Sequence, residues 1–185
     1  NGFNANSLNL SDHRGRYGFN VAARAELDFA NSMYLDTELG LLNLGWKDRV
    51  SYYYSDYYNP DTPTGDYTET DYTQRMNAYY LHLPIHAGYH WSVARRCAIY
   101  VDAGPYFSLG LFGKAKTTDH IKNETHKDDT FDQIRRFDWG LGARLGVELA
   151  GHYRLGMGYD FGLQKLSKYS SDKNNNFTLS VGYMF

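Results

Sequence analysis

The chain has 185 residues, 42% of them apolar, with 18 Tyr, 10 Phe, 3 Trp, 18 Gly and only 4 Pro. That is enough chain for one domain with a real interior, and too aromatic for disorder. A formal net charge of −2 excludes a global basic field for nucleic acid. A mean hydropathy of −0.60, with no apolar run near the ~18 residues a membrane helix needs, excludes such a helix. Cys97 has no second cysteine to pair with, which excludes a disulfide scaffold.

The chain opens at Asn1-Gly2-Phe3 without a basic and apolar leader, so a mature or trimmed chain is expected. Gly2 to Leu10 alternates with a slip and reads as a first strand. Next, Tyr17, Phe19, Val21, Ala23, Ala25 and Leu27 oppose Gly18, Asn20, Ala22, Arg24, Glu26 and Asp28. Met33 to Trp46 sets Leu35, Leu39 and Leu41 against Asp36, Glu38 and Gly40. Tyr79 to Trp91 sets Leu81, Leu83, Ile85, Ala87 and Tyr89 against His82, His86, Gly88 and His90. Ile99, Val101, Ala103, Phe107, Leu109 and Leu111 oppose Asp102, Gly104, Ser108 and Gly110.

The clearest alternation comes later. Phe137, Trp139, Leu141, Ala143, Leu145, Val147 and Leu149 oppose Asp138, Gly140, Gly142, Arg144, Gly146 and Glu148. Tyr153 to Leu163 repeats the scheme against Arg154, Gly156, Gly158, Asp160 and Gly162, and Phe177 to Phe185 ends the chain. Period two means β-strand, because successive side chains point to opposite faces. Eight strands result. Short connections near 30–32, 94–97 and 150–151 alternate with long ones at about 51–75, 116–134 and 167–176. This rhythm predicts an all-β, eight-stranded antiparallel up-and-down barrel in one domain over 1–185, with its short turns at one end.

Alternation alone fits two barrels, a soluble lipocalin-like one and a transmembrane one with an apolar exterior. Three features favour the membrane. Lys47, Lys114, Lys116, Lys122, Lys127, Lys165, Lys168 and Lys173 are placed in loops or at strand ends, whereas a soluble barrel would carry lysines along its wet strands. Aromatics gather at the ends of the apolar faces, as interfacial girdles do. Reversing the phase would turn Asp138, Arg144 and Asp160 to lipid, at up to ~2–4 kcal/mol each near the midplane.

Five stretches carry a family likeness: Tyr80-Leu81-His82-Leu83-Pro84, Ala103-Gly104-Pro105-Tyr106, Phe137-Asp138-Trp139-Gly140-Leu141-Gly142, Gly158-Tyr159-Asp160-Phe161-Gly162-Leu163, and the C-terminal Leu179 to Phe185. In these the chain resembles the PorT-type outer-membrane β-barrel proteins of Bacteroidota, within the OmpA-like eight-stranded group. The resemblance implies fold and location rather than an activity.

A lumen of eight strands is just wide enough for side chains to fill. The inner phase collects Arg24, Glu26, Asp28, Asp36, Glu38, His82, His86, His90, Asp102, Asp138, Arg144, Glu148, Arg154 and Asp160. Buried charges persist when paired, so a salt-bridged plug is expected. The excess of carboxylates over arginines leaves a proton- or cation-sensitive gate as the competing reading. His82, His86 and His90 are spaced for a metal face on a helix, but on a strand successive ones lie ~13 Å apart, too far to share an ion. Neither a metal nor a cofactor is expected.

Catalysis is not expected either. No G-x-S-x-G occurs, His120 and His126 lie in a charged connection without a nearby Ser, and Ser108 faces inward with no evident base. The tyrosine-rich connection from Tyr52 through Tyr57, Tyr58, Tyr67 and Tyr72 is the candidate binding surface, because tyrosines give large amphipathic contact area. The competing reading makes its first tyrosines an extension of strand and girdle. Arg95-Arg96 reads as a solvated turn, and the sequons at Asn123 and Asn176 as uninformative.

The functional expectation is a structural or interaction role, as anchor or accessory subunit of a larger outer-membrane assembly. A narrow channel and a lipid-A- or acyl-modifying enzyme are the alternatives. The expected surroundings are the outer membrane of a Gram-negative bacterium, its lipid and lipopolysaccharide and neighbouring outer-membrane proteins, with both termini periplasmic and no nucleic acid.

Overall fold

The computed structural model describes residues 7–9, 17–55, 67–122, 124–165 and 173–185. Ten strands follow in chain order: β1 (Ser7–Asn9), β2 (Tyr17–Gly18), β3 (Asn20–Asp28), β4 (Met33–Ser55), β5 (Tyr67–Ala94), β6 (Cys97–Asp119), β7 (Glu124–Asp129), β8 (Phe137–Leu149), β9 (Tyr153–Lys165) and β10 (Lys173–Tyr183). All pair antiparallel in the order β2-β1-β10-β9-β8-β6-β5-β4-β3, with β7 added to β6. Phe19 alone separates β2 from β3, and its carbonyl accepts from the Asn43 amide of β4. One run of chain, 17–28, therefore faces β4 on one side and β1 on the other. Eight passes of chain make the wall. The seam is thin, since β1 is paired over three residues with β10 and two with β2.

Side chains from opposite walls meet inside, as when Arg144 of β8 reaches Glu38 of β4, so the sheet curls into a cylinder. Its interior is polar and its exterior apolar. Arg24, Asp36, Glu38, His82, His86, Asp102 and Arg154 are buried, while Leu141, Leu145, Leu155, Met157, Leu179 and Val181 are exposed. In water this inversion would be costly. In a bilayer it is the stable arrangement, because every ladder hydrogen bond stays inside the wall. Tyr79 and Tyr89 mark the ends of the apolar band on β5. Ten residues at ~3.3 Å and a tilt of about 40° give it a height of ~25 Å, the thickness such bands have.

The strands run further than the sequence reading placed them. β4 and β5 stay in register to Ser55↔Tyr67, and β6 pairs β7 to Asp119↔Glu124, so much of what is described of the expected connections at 51–75 and 116–134 is ladder. Lys47, Lys114 and Lys116 accordingly sit within strands rather than in loops or at strand ends. Nothing in alternation marks where a strand leaves the membrane, because a hairpin continues on either side of that level.

A bulge in the middle of β6 shifts the phase. Tyr79 pairs Phe112 and Tyr80 pairs Gly110, which leaves Leu111 as the extra residue. Leu111 and Phe112 are both exposed, and beyond them Ala115 turns inward. A one-turn helix, α1 (Thr130–Gln133), follows β7, its first turn capped by the Asp129 carboxylate accepting from the Phe131 amide at 2.8 Å. α1 lays Phe131 over Gly110 and Thr130 over Gly113, where a Cβ would collide with either. With Leu42, Leu44, Ala78 and Tyr80, Phe131 forms an apolar cluster at the long-strand end of the lumen.

Candidate functional site: the lumen network

The strand phase aims one residue in two inward, and the register decides which of them meet. Nearest the short turns, Arg154 bonds Glu26 at 2.7 Å and approaches Glu148 at 3.2 Å. His90 lies between the same two carboxylates, 3.3 Å from Glu26 and 3.2 Å from Glu148. The Arg154 guanidinium also donates to the Tyr34 hydroxyl at 3.0 Å and lies 3.5 Å from the Tyr100 ring centroid.

At mid-height Arg24 approaches Asp36 at 2.6 Å and Glu26 at 3.2 Å. Arg144 donates to Asp36 at 3.1 Å and Glu38 at 2.7 Å. Asp102 accepts from the Tyr34 hydroxyl at 2.9 Å and lies 2.7 Å from His86 Nδ1. Above this tier, His82 Nδ1 meets the Ser108 hydroxyl at 2.8 Å and its Nε2 is 3.8 Å from Asp160. Asn176 donates to Asp160 at 3.3 Å, and Asn174 to Asp138 at 3.0 Å.

Thirteen of the fourteen inner-phase residues thus line one column below the apolar cluster. Ten of them form a single ion-paired network about Arg24, Arg144 and Arg154, and His82, Asp160 and Asp138 stand above it on Ser108, Asn176 and Asn174. Asp28 is the exception, for it is exposed at the short-turn mouth. Three arginines bind the carboxylates in a shared arrangement, so neutralising one arginine strands several acids. A polar cavity of about 20 Å³ remains among Asn20, Arg24, Glu38, His82, Arg144 and Asp160. It has room for one ordered water, not for a passing solute.

The three histidines act separately, with Ser108, with Asp102, and with the Glu26–Glu148 pair. Glu26, Asp28 and His90 offer ligand atoms within 4.8 Å of one another. Arg154 and Arg24 already sit on Glu26, however, and a guanidinium there opposes a cation. The sequence reading gave Ser108 no base, and the structure corrects this by bringing His82 to it across strands 26 positions apart. The pair is buried, and Asp160 stands outside hydrogen-bond range of His82.

Several lumen residues escaped the sequence reading. Tyr34, Tyr80, Tyr100 and Tyr106 are almost wholly buried inside, a place that girdle and loop tyrosines do not predict. Their even positions, in phase with Asp36, His82, Asp102 and Ser108, were the available signal. The inner glycines explain how such rings fit: a Cβ at Gly88 would strike the Tyr34 ring, and one at Gly156 the Tyr100 hydroxyl.

Of the candidate binding tyrosines, Tyr57 and Tyr58 lie outside the described residues. Tyr67 begins β5, and Tyr72 is a half-buried member of it, opposite Val50 and Asp119. Tyr52 to Tyr54 lie on β4. Asn176 is buried in the lumen, which closes that sequon to modification in the folded chain.

Residues 1–168 match the family described as outer membrane protein beta-barrel domain. No curated protein matches the chain. Among solved structures, Ail, the attachment invasion locus protein of Yersinia pestis, is 14% identical, with 100% of this chain and 95% of that one covered and a TM-score of 0.43. Neisserial surface protein A is 16% identical, with 98% and 92% covered and a TM-score of 0.48. The N-terminal β-barrel domain of Pseudomonas aeruginosa OprF is 13% identical, with 100% and 96% covered and a TM-score of 0.38.

Proposed function

The chain belongs to the outer membrane protein β-barrel domain family, and on that premise we propose that it is a sealed barrel serving as anchor or accessory subunit of a larger outer-membrane assembly. The observation that carries this reading is the lumen, filled by ion pairs from Glu26 to Glu38, by amide-bonded Asp160 and Asp138 above them, and capped by Phe131 and Tyr80. A filled lumen leaves the outer wall and the strand extensions as the surfaces available for work. The narrow-channel alternative requires a continuous wet path, which the column of ion pairs opposes. The enzyme alternative requires an accessible nucleophile, and Ser108 and His82 are enclosed.

In this reading the short turns and both termini face the periplasm, and the extended β4–β5–β6 strands face outward among lipopolysaccharide. The finer likeness, to PorT-type barrels of Bacteroidota, rests on the strand motifs quoted above and is compatible with a secretion-linked assembly. Tyr57, Tyr58, Tyr67 and Tyr72 are the proposed contacts for a neighbouring outer-membrane protein. Purification from native membranes in gentle detergent, followed by identification of co-purifying chains, tests the role. A defined outer-membrane partner lost on Tyr57→Ser/Tyr58→Ser substitution is the expected result. Recovery of the chain alone, or a shift in lipid-A mass when its gene is deleted, would overturn it.

A further inference from the structure

Above the aromatic row, on the outward face, four cations stand in one line of register. Lys47 of β4 lies opposite Arg75 of β5, Arg75 opposite Lys116 of β6, and Lys116 opposite Lys127 of β7. All four are exposed. Neighbouring strands are ~4.8 Å apart, so the row spans ~14 Å. Like charges directly opposite one another destabilise a sheet, yet among the described residues none of the four has a carboxylate within salt-bridge distance.

The rows on either side differ. The row above is Arg49, Thr73, Thr118 and Thr125, and its one cation is bound by Asp71 at 2.6 Å. The row below is Gly45, Asn77, Lys114 and Asp129, where the lysine faces an acid. Of these three rows, the four-cation row alone has no acid among its members or bonded to them, and an anion from outside the chain would supply one.

Its height identifies the anion. Tyr79 stacks on Phe112 with ring centroids 4.7 Å apart, at the upper edge of the apolar band. Arg75 is four residues further along β5, which at ~3.3 Å rise and about 40° tilt puts it ~10 Å above that edge. Long Lys and Arg stems reach back from there into the headgroup layer. The row lies on the outer wall of the sheet, facing the surrounding lipid.

We propose that Lys47, Arg75, Lys116 and Lys127 bind the phosphate groups of a phosphorylated glycolipid of the lipopolysaccharide type in the surrounding leaflet. This rests on the reading that the long-strand end faces outward. The bound lipid would act as counter-anion to the row and hold the β4–β7 extension at a fixed height above the membrane.

The test uses the full chain refolded into phosphatidylcholine vesicles containing either bisphosphorylated or fully dephosphorylated lipid A. Heat-modifiable migration establishes the barrel in every variant, so failure of the membrane reading shows itself separately as a wild-type chain without a folded band. Wild type is expected to enrich the bisphosphorylated lipid about tenfold or more at low salt. Each charge removed is expected to weaken enrichment about fivefold, and the K47Q/R75Q/K116Q/K127Q variant to abolish it. An R95Q/R96Q variant, altered in an exposed turn at the other end, is expected to bind as wild type. Undiminished enrichment by the quadruple variant would overturn the proposal. So would equal retention of the dephosphorylated lipid, or displacement of the lipid by inorganic phosphate.

Discussion

Arg154 joins strands from opposite walls, since its guanidinium meets Glu26 of β3, Glu148 of β8, the Tyr34 hydroxyl of β4 and the Tyr100 ring of β6. Replacing it with Met keeps much of the volume but leaves carboxylates unpaired, at a cost of about 3–5 kcal/mol. Urea unfolding in detergent micelles should show that loss, and an unchanged midpoint would mean the pairs contribute nothing. Gly156→Ala pushes a methyl against the Tyr100 hydroxyl, and overpacking of this kind costs about 1–3 kcal/mol. Tyr100→Phe removes the struck atom, so the double variant should recover part of the loss, a non-additivity measurable in a double-mutant cycle. At this scale the sequence told much of the story, because charge on the inner phase has nowhere to go but the lumen. It said less about tyrosine, which suits a girdle, a loop or a hydrogen-bonded interior equally well. Only strand phase separates Tyr34 and Tyr100 from Tyr89 and Tyr153.

Strands were legible wherever one face meets lipid and the other the lumen, as in β8 and β9. They were less so where both faces leave that setting. The upper β4–β5 hairpin lacks a clean alternation and its polar residues look like a loop, yet the ladder continues to Ser55. The bulge at Leu111 and the helix α1 were likewise hidden, since both depend on contacts across strands rather than on local pattern. Two outcomes follow at this level. Leu145, exposed on the outer face of β8, should lose about 2–4 kcal/mol of barrel stability on replacement by Arg if it sits near the midplane, whereas a soluble barrel would show almost no change. In the extension, the Arg49 guanidinium holds the Asp71 carboxyl below the usual carboxylate range. A carboxylate with a depressed pKa contributes stability above its unfolded pKa of about 3.9 and loses it as pH falls through the folded value. Amide protection along 49–55 should therefore drop on acidification in wild type and not in Asp71→Asn. Hydrogen exchange of the folded protein measures the difference.

The whole molecule is an inverted protein, with its polar groups packed inside and its apolar groups outside. Such an object is stable only where lipid replaces water around it, and family membership places it in the outer membrane. The closure of the wall was the part least available from sequence. β1 reaches both β2 and β10 through a few residues, and no periodicity over so short a segment fixes a register. The filling of the lumen was far more legible, because eight strands leave room for side chains and little else. In the proposed function this filling seals the barrel, and planar-bilayer recording of the refolded full chain decides whether it does. The sealed lumen predicts an unchanged baseline from acid to neutral pH, and reproducible unitary conductance steps at either extreme would contradict it.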